Sequence, residues 1–593
     1  MTYKAPVKDM LFVLKNLSEI DKINQLPGFE DYDLETASAV LEESGKFCGE
    51  ILAPLNWTGD QNPSHLLNGE VITTPGFKEA FKKFGEAGWQ GVVHPVEFGG
   101  QGFPKVIATP CAEMLHAANM SFALCPMLTD GAIEALLTAA SSELKERYIP
   151  KMILGEWTGT MNLTEPQAGS DLAAVRTKAE LQSDGRYKIF GTKIYITYGE
   201  HDMAENIVHL VLARCPGAPE GVKGISLFVV PKFMVHEDGS LGERNDVQCV
   251  SIEHKLGIKA SPTAVLQFGD HGGAVGYLVG EENRGLEYMF IMMNAARFAV
   301  GMQGVAIADR AYQQAVWYAN DRAQSKDLTG SAEPVTIIHH PDVKRMLMTM
   351  RAYTEGARAI AYVAAAASDQ AHHSPDQDVR QKNAAFYEYL VPIIKGFSTE
   401  MAVEVTSLGI QVHGGMGYIE ETGAAQHYRD ARILPIYEGT TAIQANDLIG
   451  RKTYRDGGQV AQSIASLIKE TENQLAASGS AEAAAMLKHL NAARISYESV
   501  VAHIVTNFKS EIKDVLAGAT TYLKLSGTLL SGWQMARALL VSEDKLSEDP
   551  DFYSAKIGTA YFYAEHLLSQ VPGMASAVIS GGRAVNQLRA EQF

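Results

Sequence analysis

The stretch YKIFGTKIYIT, Tyr187 to Thr197, decides the class of this fold. It reads as two strands joined around Gly191, with Tyr195 and Thr197 on one face and Ile194 and Ile196 on the other. Just upstream, VRTKAEL (175–181) alternates Val175, Thr177, Ala179 and Leu181 with Arg176, Lys178 and Glu180. Downstream, VHLVLAR (208–214), GISLFVVPK (224–232) and TAVLQFG (263–269) are further short runs rich in β-branched and aromatic residues. From about Trp157 to Gly280 the hydrophobic period is therefore close to 2, which predicts a small β-barrel or sandwich.

On both sides the period lengthens to 3.6. Leu34–Ile51 and Cys111–Met120 place apolar residues at helical spacing around a glycine-rich loop, PVEFGGQGFP (95–104). After Asn283-Arg284-Gly285 come three long amphipathic runs, 286–324, 340–368 and 385–412. The pattern lapses near Tyr454–Gly458, and Ala461–Ala477, Ala481–Phe508 and Glu511–Leu540 predict at least three more helices. The fold class is α+β. An N-terminal helical domain (1–156) precedes a middle β domain (157–282), a helical bundle (283–455) and an additional C-terminal helical domain (456–593). A chain of 593 residues has room for three to five such units.

Composition narrows the function. A hydrophobic fraction of 46% and a charged fraction of 20% are those of a globular protein. The balance 51 − 69 = −18, with no basic run, argues against nucleic acid as a partner. The longest uninterrupted apolar stretch, Ala359 to Ala367, is far short of the ~20 residues that span a bilayer. The opening segment carries Asp9, Glu19 and Asp21 and lacks the pattern of a signal or transit peptide. Five scattered cysteines without a CxxC pair read as buried thiols of a reducing compartment. The expectation is a soluble cytoplasmic protein.

Three motifs carry chemistry. In MNLTEPQAGSDLAAVRTKAE (161–180), Pro166 and Gly169 interrupt regular structure, and Thr164 and Ser170 offer hydroxyls to a polar cofactor edge or phosphate. The same residues also suit a capped turn before a strand. In GTKIYITYGEH (191–201), the Tyr195 ring beside the Thr197 hydroxyl suits a flat heterocycle, or simply a barrel strand. In the stretch 411–444, Gly414, Gly415 and Gly417 end a helix and bare backbone N–H groups that could face a pyrophosphate. Glu438, between Pro435-Ile436-Tyr437 and Gly439-Thr440-Thr441, is a carboxylate in apolar surroundings, where desolvation would make it a better base near neutral pH. The usual nucleotide and hydrolase signatures are missing, and His339-His340-Pro341-Asp342 lacks the further ligands a metal needs. No metal is expected.

Together these motifs, in this order around a β-rich middle, resemble the acyl-CoA dehydrogenases. The resemblance covers about Glu35 to Arg451 and rests on TEPQAGSD, KIYIT, ENRGLEYMF and RDARILPIYEGTT at compatible spacings. The longer chain, the opening YKAPVKDMLFVL and the extra C-terminal bundle are similar to the branch that includes 3-methylmercaptopropionyl-CoA dehydrogenases, which also holds enzymes of ordinary fatty acyl chains.

The resemblance implies FAD bound between the β domain and the C-terminal helices, and α,β-dehydrogenation of an acyl-CoA thioester to the trans-2-enoyl-CoA. Glu438 matches the base, opposite hydride transfer to flavin N5, and its backbone N–H matches a donor to the thioester oxygen. Some relatives carry the base just before the arginine matching Arg297, where this chain has Ala296. Thr164 and Ser170 match positions around the flavin and the phosphates of cofactor or substrate. Tyr195 stands for a tryptophan that covers the flavin, and Thr197 for the hydroxyl near its reactive nitrogen. Arg322 matches an arginine that reaches the FAD of a neighbouring subunit. Gln411, Gly414, Gly415 and Thr440 match further cofactor contacts, and Ser170, Arg297, Tyr437 and Gly439 fall on the substrate side. Ser325 and Lys326 replace the usual Phe and Gly after that arginine, and Ala442 replaces a polar cofactor contact. An electron-transferring flavoprotein as acceptor and a homodimer complete the picture, with an acyl-CoA oxidase as the alternative.

Overall fold

A computed structural model describes residues 3–593. Eight strands of the middle region form one sheet: β1 (Trp157–Asn162), β2 (Lys178–Leu181), β3 (Tyr187–Thr197), β4 (Asn206–Ala213), β5 (Ser226–Pro231), β6 (Val247–Ile252), β7 (Thr263–Phe268) and β8 (Ala274–Val279). Their order is β6-β7-β3-β8-β5-β4-β1, with β2 beside β3. Only β1 and β4 pair in parallel. β4 and β5 are buried along their whole length, because the sheet is covered on both faces. One face, through Val208, Leu210, Leu227 and Val229, meets the helices; the other, through Val211, Phe228, Val230, Ile189 and Leu266, packs inside the folded sheet itself.

The long strand β3 organises this folding. It reads as two strands in the sequence but is one, with two sets of partners. Tyr187–Phe190 pair with β2 and β8, and Gly191–Thr197 pair with β7. At the changeover, a Cβ on Gly191 would lie 2.5 Å from Thr177 Oγ1, so a side chain is excluded there. Further along, Lys193 faces Leu266 and Ile196 faces Ala264, which leaves Ile194 and Tyr195 opposite Val265 alone. This β-bulge breaks the strict alternation the sequence predicts, buries Lys193 and Ile196, and turns Tyr195 outward at φ 59° and 61% exposure.

Helices flank the sheet. The run predicted across Cys111–Met120 is two helices, α1 (Lys105–Ala118) and α2 (Met120–Ala139). Between them Asn119 is extended, and its side chain caps α2 by accepting the Phe122 N–H. The bundle after the sheet consists of α3 (Gly285–Asp321), α4 (Pro341–His373) and α5 (Gln377–His413), followed by the short α6 (Ala424–Ala431) and α7 (Thr441–Asp447). By length and composition α2 and α3 could cross a membrane; 78% and 67% of their apolar windows are buried within the protein, as in core helices.

The C-terminal region adds α8 (Gln459–Ser478), α9 (Ala481–Asn507), α10 (Ala519–Asp544), α11 (Pro550–His566) and α12 (Val571–Val585). The predicted run Glu511–Leu540 breaks at Gly518, and α11 and α12 lie beyond the runs singled out in the sequence. Buried charges join this region to the rest. Lys556 on α11 pairs with Glu355 (2.8 Å) and with Asp9, and Asp9 also pairs with Arg358, which gathers Glu113 and Asp309. All five cysteines are buried and free.

Candidate active site

The loop carrying Glu438 is built by its own backbone. Tyr437 N–H donates to Ile433 O (3.2 Å) and Thr441 N–H to Pro435 O (3.0 Å), while Thr440 caps α7 by accepting the Ile443 N–H. Glu438 and Gly439 are both left-handed, at φ 53° and 86°. For a glutamate that conformation is strained, and such residues concentrate where a side chain must be aimed. At Gly439 a Cβ would stand 2.7 Å from Gln444 Nε2, so a side chain there would be strained and would displace the Gln444 amide.

Glu438 lies half-buried, and its carboxylate makes no hydrogen bond or ion pair among the described residues. Burial pushes its pKa above the usual carboxylate value, and the nearby Lys395 and Arg297 cations pull against that rise. Its backbone N–H likewise donates to no acceptor among the described residues. Arg297 on α3 is buried; among the described residues its Nε has no partner, and its Nη1 reaches Asn294 Oδ1 at 3.4 Å. The Tyr437 hydroxyl donates to Gln303 Oε1, and Gln303 Nε2 points to Met127 Sδ (3.3 Å). A carboxylate, a backbone N–H and a guanidinium nitrogen without hydrogen-bond partners among the described residues share one neighbourhood.

Two residues that the sequence reading passed over hold this loop. Lys395 on α5 is fully buried and donates to Leu434 O (2.9 Å) and Gly439 O (2.7 Å). Gln444 donates to Glu438 O and Gly439 O, both at 3.2 Å. The available signal was a single lysine inside the apolar run LVPIIKGFS (390–398).

The TEPQAGSD loop is a tight turn, with Glu165 and Ala168 exchanging backbone hydrogen bonds, and Asp171 caps the short turn that follows. It is also fastened to β3. Ile194 N–H donates to Thr164 O (2.9 Å), and buried Lys193 bonds Leu163 O (3.0 Å) and Glu165 Oε1 (2.8 Å). Thr164, Ser170, Tyr195 and Thr197 therefore belong to one rigid piece, with Thr197 paired to Thr263 of β7. That piece reaches the Glu438 segment through the loop after β6: Asp430 accepts the Ile258 N–H (2.5 Å), and Arg429 donates to Leu256 O (3.3 Å) and to Asp60.

Arg322, Gln411, Gly414 and Gly415 form a separate, exposed set at the ends of α3 and α5, drawn together where Tyr318 stacks on His413 at 4.4 Å. Among the described residues none of them bonds the Glu438 loop. The backbone at Gly169, Gly414 and Gly415 is open, with nothing within 4 Å of where a Cβ would stand. Gly417, by contrast, packs against Ile410 O, 2.3 Å from such a Cβ. Exposed Tyr195, the hydroxyls of Thr164 and Thr197 and the open backbone at Gly169 offer polar groups and room of the kind a flavin needs, and the space at Gly414 and Gly415 lies apart from them. A cavity of about 810 Å³ also touches the loop, through Pro435, Ile436 and Thr440–Ala442 but not Glu438; Thr520, Thr521, Leu523 and Lys524 of the C-terminal region form part of its wall.

Comparisons with known sequences and structures give the family. Acyl-CoA dehydrogenase models for the N-terminal, middle and C-terminal domains match residues 68–156, 160–271 and 283–452. A fourth, described as acetyl-CoA dehydrogenase C-terminal like, matches 460–589. A 3-methylmercaptopropionyl-CoA dehydrogenase of Ruegeria pomeroyi is 52% identical over 98% of this chain and 99% of its own. The broad-specificity linear acyl-CoA dehydrogenase FadE5 of Mycobacterium tuberculosis is 36% identical over 95% of each chain. The crystal structure of Caenorhabditis elegans ACDH-11 in complex with C11-CoA shares the fold, with a TM-score of 0.78 at 20% identity, over 99% of this chain and 96% of that one. The chain belongs to the acyl-CoA dehydrogenase family, whose members are FAD-dependent oxidoreductases.

Proposed function

We propose that Glu438 takes the α-proton of an acyl-CoA thioester while the α–β bond is oxidised to the trans-2-enoyl-CoA. The acyl group is 3-(methylthio)propanoyl or a fatty acyl chain. One observation carries this reading: a carboxylate withdrawn from water and, among the described residues, without a hydrogen bond or ion pair, beside its own unused N–H. A thioester α-proton is a weak acid, so the base must be raised towards neutrality and the growing charge on the thioester oxygen must be met. The Glu438 N–H is suited to meet it, and one such donor is worth about 3–4 kcal/mol. The strained backbone fixes carboxylate and N–H together, which supplies orientation before substrate arrives.

Thr164, Ser170, Tyr195, Thr197 and Thr440 hold the cofactor, and Ser170, Arg297, Tyr437 and Gly439 lie on the substrate side. Bound FAD supplies the acceptor for the hydride that leaves the β-carbon. Arg322, Gln411, Gly414 and Gly415, set apart and exposed, serve the cofactor of a second subunit in a homodimer. An electron-transferring flavoprotein collects the electrons. The thioether substrate is favoured by the 52% identity to an enzyme named for it. Anaerobic flavin bleaching with 3-(methylthio)propanoyl-CoA, butyryl-CoA and longer acyl-CoAs tests the assignment, and bleaching by none would refute it. Peroxide formed in step with turnover in air would favour the oxidase instead.

A further inference from the structure

The geometry points to Lys395 as a positioning residue for the base, clamping the loop on either side of Glu438 and setting its cation where it keeps that carboxylate unprotonated. The inference rests on the reading of Glu438 as the base and extends it to a residue on another helix.

Lys395 grips two carbonyls, of Leu434 and Gly439, that bracket the strained turn. Its side chain is fully buried, and among the described residues no carboxylate forms an ion pair with its ammonium. Holding two carbonyls needs only neutral donors, and Gln444 does as much with an amide. Burying an unpaired cation for that purpose alone would be strongly unfavourable. The charge acts elsewhere. The groups it faces are Glu438 on the loop, Glu400 one turn along its own helix, and Arg297 across from α3. Glu400 is exposed and already accepts a hydrogen bond from Thr441 Oγ1 (2.6 Å). Arg297 is itself faced by Asp447, Glu438 and Arg451. Glu438 is thus the carboxylate on which the Lys395 field falls. Burial pushes the Glu438 carboxyl up and lowers Lys395 to about 8, which leaves the lysine mostly charged at neutral pH.

The test uses the FAD-loaded full chain with Lys395→Gln and Lys395→Met, which remove the charge, and Lys395→Arg, which keeps it. For each, kcat and KM per bound flavin are followed against pH. An opposite charge nearby typically lowers a carboxyl pKa by about 1–3 units. Both neutral variants should therefore move the acid limb of the kcat profile upward by about one unit or more. On the acid side of the native limb, turnover should fall about tenfold at a given pH, with KM little changed. Lys395→Arg should leave the limb where it is. Acid limbs of the neutral variants that overlay the native one would overturn the inference, even if flavin content fell, because that pattern is purely structural. Glu438→Gln, assayed alongside, separates the two claims. If it retains turnover, the base assignment fails; if it is inactive while the limbs of the Lys395 variants do not move, only the role of Lys395 fails.

Discussion

Replacing Glu165 with glutamine should loosen the TEPQAGSD loop more than any surface change there, and the size of the effect follows from the pair it breaks. Glu165 is 4% exposed and Lys193 fully buried, with Nζ and Oε1 2.8 Å apart. Burial works to raise the Glu165 carboxyl, yet Lys193, the Thr177 hydroxyl and the Arg176 N–H together bring it down to about 2 from 4.5. By linkage that contributes about 3 kcal/mol at neutral pH. Burial in turn lowers Lys193 from 10.5 to about 8, which costs about the same. The intact pair is therefore close to neutral in net stability, whereas Glu165→Gln strands a buried ammonium and should cost about 3–5 kcal/mol. Adding Lys193→Met removes the stranded charge. The double variant should be more stable than Glu165→Gln alone, with a coupling of about 2–3 kcal/mol in a double-mutant cycle read by urea denaturation. The carboxyl is depressed in the folded state, so its contribution is complete above pH 4.5 and fades as the pH falls towards 2. The gap between native protein and Glu165→Gln should accordingly narrow on acidification from pH 5. Strictly additive single effects, or a gap that widens in acid, would refute the reasoning.

Other consequences follow from the same geometry. Arg322→Ala should speed loss of FAD on dilution without changing the melting temperature, measured by flavin fluorescence after gel filtration; unchanged retention would count against cofactor sharing between subunits. Gly439→Ala, forced against Gln444 Nε2 at φ 86°, should fold and lower kcat by about 100-fold, the typical consequence of an ångström-scale misplacement. A normal kcat would show that the turn tolerates a side chain.

The part of this protein legible in its sequence was the part written locally. The change of period at Trp157 and Gly280, the capped turn at TEPQAGSD and the run around Glu438 each announce themselves within a dozen residues. What escaped depends on pairings between distant segments. The bulge at Tyr195 exists because β7 offers Val265 alone to two residues, and nothing in KIYIT states that. Asn119 looks like one polar residue in a helical run until it turns out to end one helix and cap the next. Lys395 precedes Gly439 by 44 residues, and only the packing of α5 against the loop brings its ammonium to the carbonyls. Glu165 reads as one acid in a turn, and its partner Lys193 as one cation on a strand, until β3 closes over the loop.

The most direct test of the account is the single-turnover rate of flavin bleaching by 3-(methylthio)propanoyl-CoA in the FAD-loaded Glu438→Gln variant, measured anaerobically beside the native protein. General-base catalysis of this kind is worth about 10²–10⁴-fold. The account predicts a folded, yellow protein that binds acyl-CoA and bleaches at least about 100-fold more slowly than the native one. Bleaching at the native rate would contradict it.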